Sequence, residues 1–170
     1  MTKKRIWVIG GAPFSGKSTV GKILAKALEC PFEDLDEQVE REAGIPIPCL
    51  FSIHGERHFR RIESLCLKRI LGGQGPLVLA LGGGSLLKRA NLKAVLENGV
   101  LFTLTADDCE LVSRFAPGRP LTGNTDELRN LLSRRRSHYL GLPGAVDTRG
   151  RSPLETARII TELIETLMSP

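Results

Sequence analysis

The sequence is poor in aromatic rings, which make up 5% of its 170 residues and include a single tryptophan and a single tyrosine. Surfaces that bind single-stranded nucleic acid stack bases on such rings, so their scarcity argues against nucleic acid as a partner. No run of five like charges forms a basic tail. Long apolar runs are missing as well; none approaches the roughly 18 residues of a membrane span. Near the N-terminus the apolar stretch Ile6-Trp7-Val8-Ile9 is four residues long, short of the roughly 7–15 that a secretory leader needs. The four cysteines, Cys30, Cys49, Cys66 and Cys109, contain no CxxC pair, and no histidine stands at zinc-finger spacing. They are too few for a disulfide scaffold. The expectation is four reduced thiols packed as small hydrophobes in a cytoplasmic protein that meets no membrane.

What is present fits an ordinary globular chain. Hydrophobic residues at 41% and charged residues at 25% exclude a disordered polymer. The length suits one domain, spanning 1–170. The net charge of +5 has two readings, a solvated surface or an attraction for anions.

Short apolar runs alternate with helical periods. Ile6–Ile9 reads as a strand ending in Gly10-Gly11, followed by a helix from about Lys17 to Leu28 with Val20, Ile23, Leu24, Ala27 and Leu28 on one face. Pro31–Asp34 is extended, and a polar helix follows from about Asp36 to Ala43. Pro46 and Pro48 break the chain before a short apolar turn, Cys49–Ile53. A longer helix runs from about Glu56 to Leu71. Leu77–Leu81 is an apolar strand, as expected where both sheet faces are covered. Further helices are expected near Lys88–Glu97, Asp107–Arg114 and Asp126–Leu140, with strands at Val100–Leu104 and Val146–Thr148. Ser152-Pro153-Leu154-Glu155 is a capping box with proline at the first helical position. The helix it opens would bury Leu154, Ala157, Ile160, Leu163, Ile164 and Leu167. The alternation implies a parallel three-layer α/β domain with right-handed crossovers.

Gly11-Ala12-Pro13-Phe14-Ser15-Gly16-Lys17-Ser18 fits G-x-x-x-x-G-K-[ST] and sits between a strand and a helix. Backbone N–H groups at such a turn form an anion nest; Lys17 reaches the β- and γ-phosphates, and the Ser18 hydroxyl can ligate Mg²⁺. The motif points to a nucleoside triphosphate without saying where the phosphate goes. Many such proteins place an aspartate at the end of an apolar strand to support the metal, but Leu77–Leu81 ends in Gly82-Gly83-Gly84. The carboxylates at a strand end are Asp34 and Asp36, which alternation turns to one side if the backbone stays extended. One supports Mg²⁺ and the other meets an attacking hydroxyl, or Asp36 merely caps the helix after it.

Two arginines stand in unusual places. Arg135 shares a helical face with Leu128, Leu131, Leu132 and Tyr139, so its guanidinium either meets an anion or snorkels to the helix edge. Arg60 either pairs with Glu63 on the surface or clamps a substrate carboxylate with Glu63 orienting it. The three glycines at 82–84 mark either a loose turn or a close approach of ligand to backbone.

Together these motifs resemble the shikimate kinases. The resemblance runs from Ile6 to about Pro153. It rests on the phosphate loop through Thr19, the Asp34-Leu35-Asp36 pair, Gly55-Glu56-Arg57-His58-Phe59-Arg60-Arg61-Ile62-Glu63, Gly82-Gly83-Gly84, Arg119-Pro120-Leu121, Arg135 with Tyr139, and Val146-Asp147-Thr148. It implies a P-loop fold like that of adenylate kinase, with sheet order 2-3-1-4-5, a substrate-binding segment at about 34–63 and a lid at about 114–124. It implies transfer of the ATP γ-phosphoryl group to the 3-hydroxyl of shikimate, with Mg²⁺, by a monomer. A related small-molecule kinase, such as one resembling gluconate kinase, is the alternative.

Residue by residue, the resemblance implies that Asp36 orients or deprotonates the attacking hydroxyl. Arg60 and Arg135 grip the carboxylate, the Gly82–Gly84 backbone meets the ring hydroxyls, and Phe51 and Phe59 wall the site. Ser18 binds Mg²⁺, with Asp34 reaching it through water. Arg119 swings onto the γ-phosphate, Arg114 stacks on adenine, and Arg151 flanks the base. Three positions depart from the family. Phe14 stands where glycine is common, which a negative φ would accommodate. The segment from Arg114 to Arg119 is short, and Thr122 replaces a frequent leucine.

Overall fold

A computed structural model describes residues 6–116, 121 and 123–169 of the chain. The expected lid residue Arg119, and Thr122, lie outside the described residues.

Five strands form one parallel sheet: β1 (Ile6–Gly11), β2 (Phe32–Asp34), β3 (Leu77–Ala80), β4 (Val100–Thr105) and β5 (Ala145–Asp147), in the order 2-3-1-4-5. Val8 of the central β1 stands opposite Leu79 of β3 and Leu101 of β4. The helices are α1 (Lys17–Ala27), α2 (Leu35–Ala43), α3 (Ile47–Leu71), α4 (Arg89–Asn98), α5 (Asp108–Ser113), α6 (Thr125–Leu140) and α7 (Pro153–Met168); a 3₁₀ turn at Ser85–Leu87 precedes α4.

Strand alternation divides the core. Ile6 and Val8 enter a cluster with Leu35, Val39, Phe59, Leu67 and Val95 from α2, α3 and α4. Trp7 and Ile9 enter another with Val20 and Leu24 of α1 and Ile160 and Ile164 of α7. With both faces covered, β1 is buried throughout, which is why its sequence is an apolar run without a polar period. A smaller cluster, built from Ala12, Leu111, Val112, Leu128 and Leu132, joins α5 and α6 under the phosphate loop.

Four local expectations are corrected. Cys49–Ile53 is helical: Pro46 is the N-cap and Pro48 occupies the second helical position of α3, where a missing N–H costs nothing. The break falls instead at Gly55, whose φ of 76° and ψ of 171° kink α3. The buried face of α7 is narrower than its apolar content, since Leu154, Leu163 and Leu167 are exposed and Thr156 takes a buried position. Of the cysteines, all free, only Cys66 is buried; Cys49 and Cys109 are exposed. Asp34, and not Asp36, caps α2, and the chain turns helical at Leu35, so strand alternation does not set the direction of Asp36. The capping box of Ser152 and Glu155 is formed as expected. Among the described residues, no helix is long and apolar enough to cross a membrane.

Candidate active site

The site lies beyond the carboxyl ends of β1, β2 and β3, where ligands collect in open parallel sheets. The phosphate loop leaves β1 at Gly11, runs through Ala12, Pro13, Phe14 and Ser15, and enters α1 through Gly16, which takes the left-handed conformation at φ 86°. The buried Lys17 folds back over the loop, its Nζ donating to the Ala12 carbonyl at 2.6 Å and to Ser15 Oγ at 3.4 Å. The Ser18 hydroxyl donates to Asp34 Oδ2 at 2.5 Å, while Asp34 Oδ1 accepts the Asp36 N–H at 2.9 Å. One buried carboxylate thus ties the phosphate loop to the first turn of α2. Thr19, next in α1, is exposed.

Phe14 departs from the expected negative φ: its φ is 62°. A side chain in that region costs roughly 1–2 kcal/mol. The ring is held against Phe115 at a centroid distance of 5.7 Å, within the small cluster under the loop. Such a ring pair is worth about 0.5–1.5 kcal/mol beyond its burial, which offsets the strain. We expect Phe14→Ala, which keeps the strain and loses the ring, to be less stable than Phe14→Gly by about 1 kcal/mol. Urea midpoints of the two variants measure this; equal midpoints would show that no strain is stored there.

On the other side of the site, Phe51 and Phe59 flank the Gly55 kink and pack at 4.7 Å between centroids. Arg60 stands over the Phe59 ring at 4.9 Å. Its Nη1 pairs with Glu63 Oε2 at 2.9 Å and its Nε with Glu56 at 3.2 Å. Burial works against the Arg60 charge, but Glu63 and then Glu56 overcome it and hold the guanidinium above its ordinary value. Glu63 is 1% exposed and also accepts the Ser85 hydroxyl at 2.6 Å. The surface pair and the substrate clamp are therefore not exclusive for Arg60: it is paired with Glu63 and also lines the cavity.

The glycine turn is a close approach, not a loose loop. A Cβ at Gly82 would fall 2.7 Å from Asp36 Oδ1, and one at Gly84 would fall 2.5 Å from Arg60 Nη2. Bare backbone there lets Asp36 and Arg60 come in from two helices. Tyr139 of α6 donates its hydroxyl to the Gly83 carbonyl at 2.8 Å, docking α6 onto the turn. Burial raises the Tyr139 pKa, opposed by the neighbouring Arg135 and Arg60.

A cavity of about 320 Å³ results. Ser18, Asp34 and Asp36 line one side, Phe51, Phe59 and Arg60 another, with the glycine turn and Arg135 closing it. Of the phosphate loop only Pro13 and Ser18 line it, and the expected base-side residues Arg114 and Arg151 do not. Arg114 is bound to Glu110 at 2.5 Å, and Arg151 is exposed and donates to the Asp147 carbonyl. In the sequence Glu63 stands out only as a possible orienter, and Ser85 does not stand out at all. The signal for Glu63 is its place three residues after Arg60 on a helix; its burial and its bond to Ser85 come from the crossing of α3 and the glycine turn.

The family model for shikimate kinase matches residues 13–168 of the chain. A shikimate kinase of Thermodesulfovibrio yellowstonii is 36% identical over 165 residues, covering 94% of this chain and 95% of that protein. The solved shikimate kinase of Acinetobacter baumannii, in complex with shikimate, superposes with a TM-score of 0.88 at 30% identity, covering 99% of this chain and 97% of that one. A gluconokinase from Sinorhizobium meliloti shares the fold at a TM-score of 0.60 and 20% identity, covering 98% of each chain.

Proposed function

The chain belongs to the shikimate kinase family of ATP-dependent phosphotransferases with an alcohol acceptor, and we propose that its cavity holds shikimate with one hydroxyl aimed at the phosphate loop. The observation that carries this reading is the cavity's polarity. The carboxylate of Asp36 and the Ser18–Asp34 oxygen pair at the phosphate loop share the lining with two guanidinium groups, Arg60, which Glu63 neutralises, and Arg135. That arrangement suits a small hydroxylated acid whose carboxylate points away from the nucleotide.

In the proposed reaction the 3-hydroxyl oxygen attacks the γ-phosphorus of ATP. The bond from that phosphorus to the β,γ-bridging oxygen breaks, ADP leaves, and the hydroxyl proton passes to the Asp36 carboxylate. Arg60 and Arg135 hold the shikimate carboxylate, the Gly82–Gly84 backbone meets the ring hydroxyls, and Phe51 and Phe59 close the apolar side. Lys17 and the N–H groups of the loop from Gly11 to Thr19 carry the phosphates. Arg119 and the base-side pair Arg114 and Arg151 complete the ATP contacts in this proposal. Catalysis then rests on positioning and on charge placed before the reaction begins.

The Ser18 hydroxyl and the Asp34 carboxylate, in contact at 2.5 Å beside the phosphate loop, are hard oxygen donors that fit Mg²⁺. When bound, Mg²⁺ supplies screening of the phosphate charge.

A coupled ADP-release assay across shikimate, gluconate and nucleoside monophosphates tests the substrate. Turnover is expected with shikimate alone. Turnover with gluconate and none with shikimate would transfer the chain to the alternative kinase.

A further inference from the structure

A second concavity, of about 700 Å³, runs along the outer face of α3 beside the substrate cavity. Arg57, Arg61, Ser64 and Lys68 succeed one another at spacings of four, three and four residues, so they form one stripe. Lys88, ahead of α4, closes the opposite side, and its Nζ donates to Ser64 Oγ at 3.1 Å. Among the described residues, no aspartate or glutamate lines this groove, and Arg57, Arg61, Lys68 and Lys88 form no ion pair. Arg60, at its edge, is already committed to Glu63 and Glu56.

Like charges four apart on a helix repel one another. Several other cations, on α2 and α6 and at the end of α5, have an acid within reach: Arg41 with Glu37, Arg129 with Asp126, Arg114 with Glu110. The cations of the α3 stripe, all exposed, have none. We propose that the groove is an anion site for a compact organic ligand bearing two or more phosphoryl groups, separate from the phosphate loop. Two guanidinium forks and two ammonium groups match phosphoryl oxygens. The volume is that of a small-molecule site. Leu65, 57% exposed in the same groove, offers an apolar contact for the ligand's carbon part. Among the described residues no Phe, Tyr or Trp lines the groove, its rings being the imidazoles of His54 and His58, which favours a small anion over nucleic acid.

Inorganic tripolyphosphate, titrated calorimetrically into the full chain in magnesium-free buffer, is the probe. Two sites per chain are expected, one displaced by ADP and one indifferent to it. The ADP-indifferent site should weaken at least tenfold in Lys68→Glu/Lys88→Glu. It should change less than twofold in Lys26→Glu/Arg158→Glu, which removes equal charge from the exposed faces of α1 and α7. Kinase activity should survive in both. Lys68→Ala/Lys88→Ala replaces the reversal if that variant does not fold, with a smaller loss expected at the same site. A single ADP-displaced site, or equal weakening in the two reversed variants, would overturn the proposal. So would short single-stranded DNA binding the groove more tightly than tripolyphosphate and being lost in the same variant.

Discussion

Replacing Asp36 by asparagine is expected to lower kcat by roughly 10²–10⁴-fold, the range that a positioned general base contributes, while KM for ATP stays within about threefold of its starting value, a bound set by the nucleotide site's independence of that carboxylate. The structure makes the variant clean. Asp34, not Asp36, caps α2, so the helix start survives. The Asp36 N–H donates to Asp34 Oδ1 from the backbone, and asparagine keeps that bond. The side chain lies against bare glycine backbone at Gly82, where an amide of equal size fits as well as a carboxylate. What the proposed role then loses is the charge and the capacity to take the hydroxyl proton. Steady-state kinetics with both substrates varied, together with a urea midpoint, separate chemistry from folding. Turnover within about threefold of the parent would leave Asp36 with a binding role only.

How much of this was legible in the sequence depends on whether a feature is local. The phosphate loop was, because its chemistry is a run of consecutive backbone N–H groups fixed by glycines at set intervals. The sheet was, because fully covered strands are short apolar runs between breakers. The segment before Gly55 misled because proline has two meanings, breaker inside a helix and starter at its first turn, and only the packing of the next residues separates them. The face of α7 misled because its apolar residues outnumber the places that α1 and the sheet can cover. Glu63 and Tyr139 illustrate a third limit. Each makes its decisive contact with the glycine turn, Glu63 through Ser85 at a separation of 22 residues and Tyr139 through Gly83 at 56, and no periodicity within one helix encodes that meeting. Phe14 is the reverse case: the sequence marks the position as odd, but its positive φ belongs to the path of the phosphate loop, and the ring's packing on Phe115 offsets the strain.

Arg135 carries the second large expected effect. Its position on the face shared with the buried Leu128 and Leu132 left a choice between an anion site and a guanidinium that escapes to solvent. The fold decides where it stands, because the Tyr139 hydroxyl docks α6 on the Gly83 carbonyl one turn further on, and Arg135 then lines the same cavity as Asp36. Unlike Arg60, it is in no ion pair with a carboxylate among the described residues, and the side chain it meets is that of Tyr139. A bound carboxylate would therefore be the anion it meets. Arg135→Ala is expected to cost about 2–4 kcal/mol of shikimate binding, the loss typical of truncating one side of a desolvated charge pair. That corresponds to roughly a 30- to 900-fold rise in KM for shikimate. KM for ATP should hold, and kcat at saturating shikimate should fall much less than in the Asp36 variant. Arg134→Ala and Arg136→Ala, on exposed neighbours in the same helix, should leave both constants nearly unchanged. If all three alanine variants behaved alike, α6 would contribute only general positive charge to the cavity, and the carboxylate clamp would reduce to Arg60 alone.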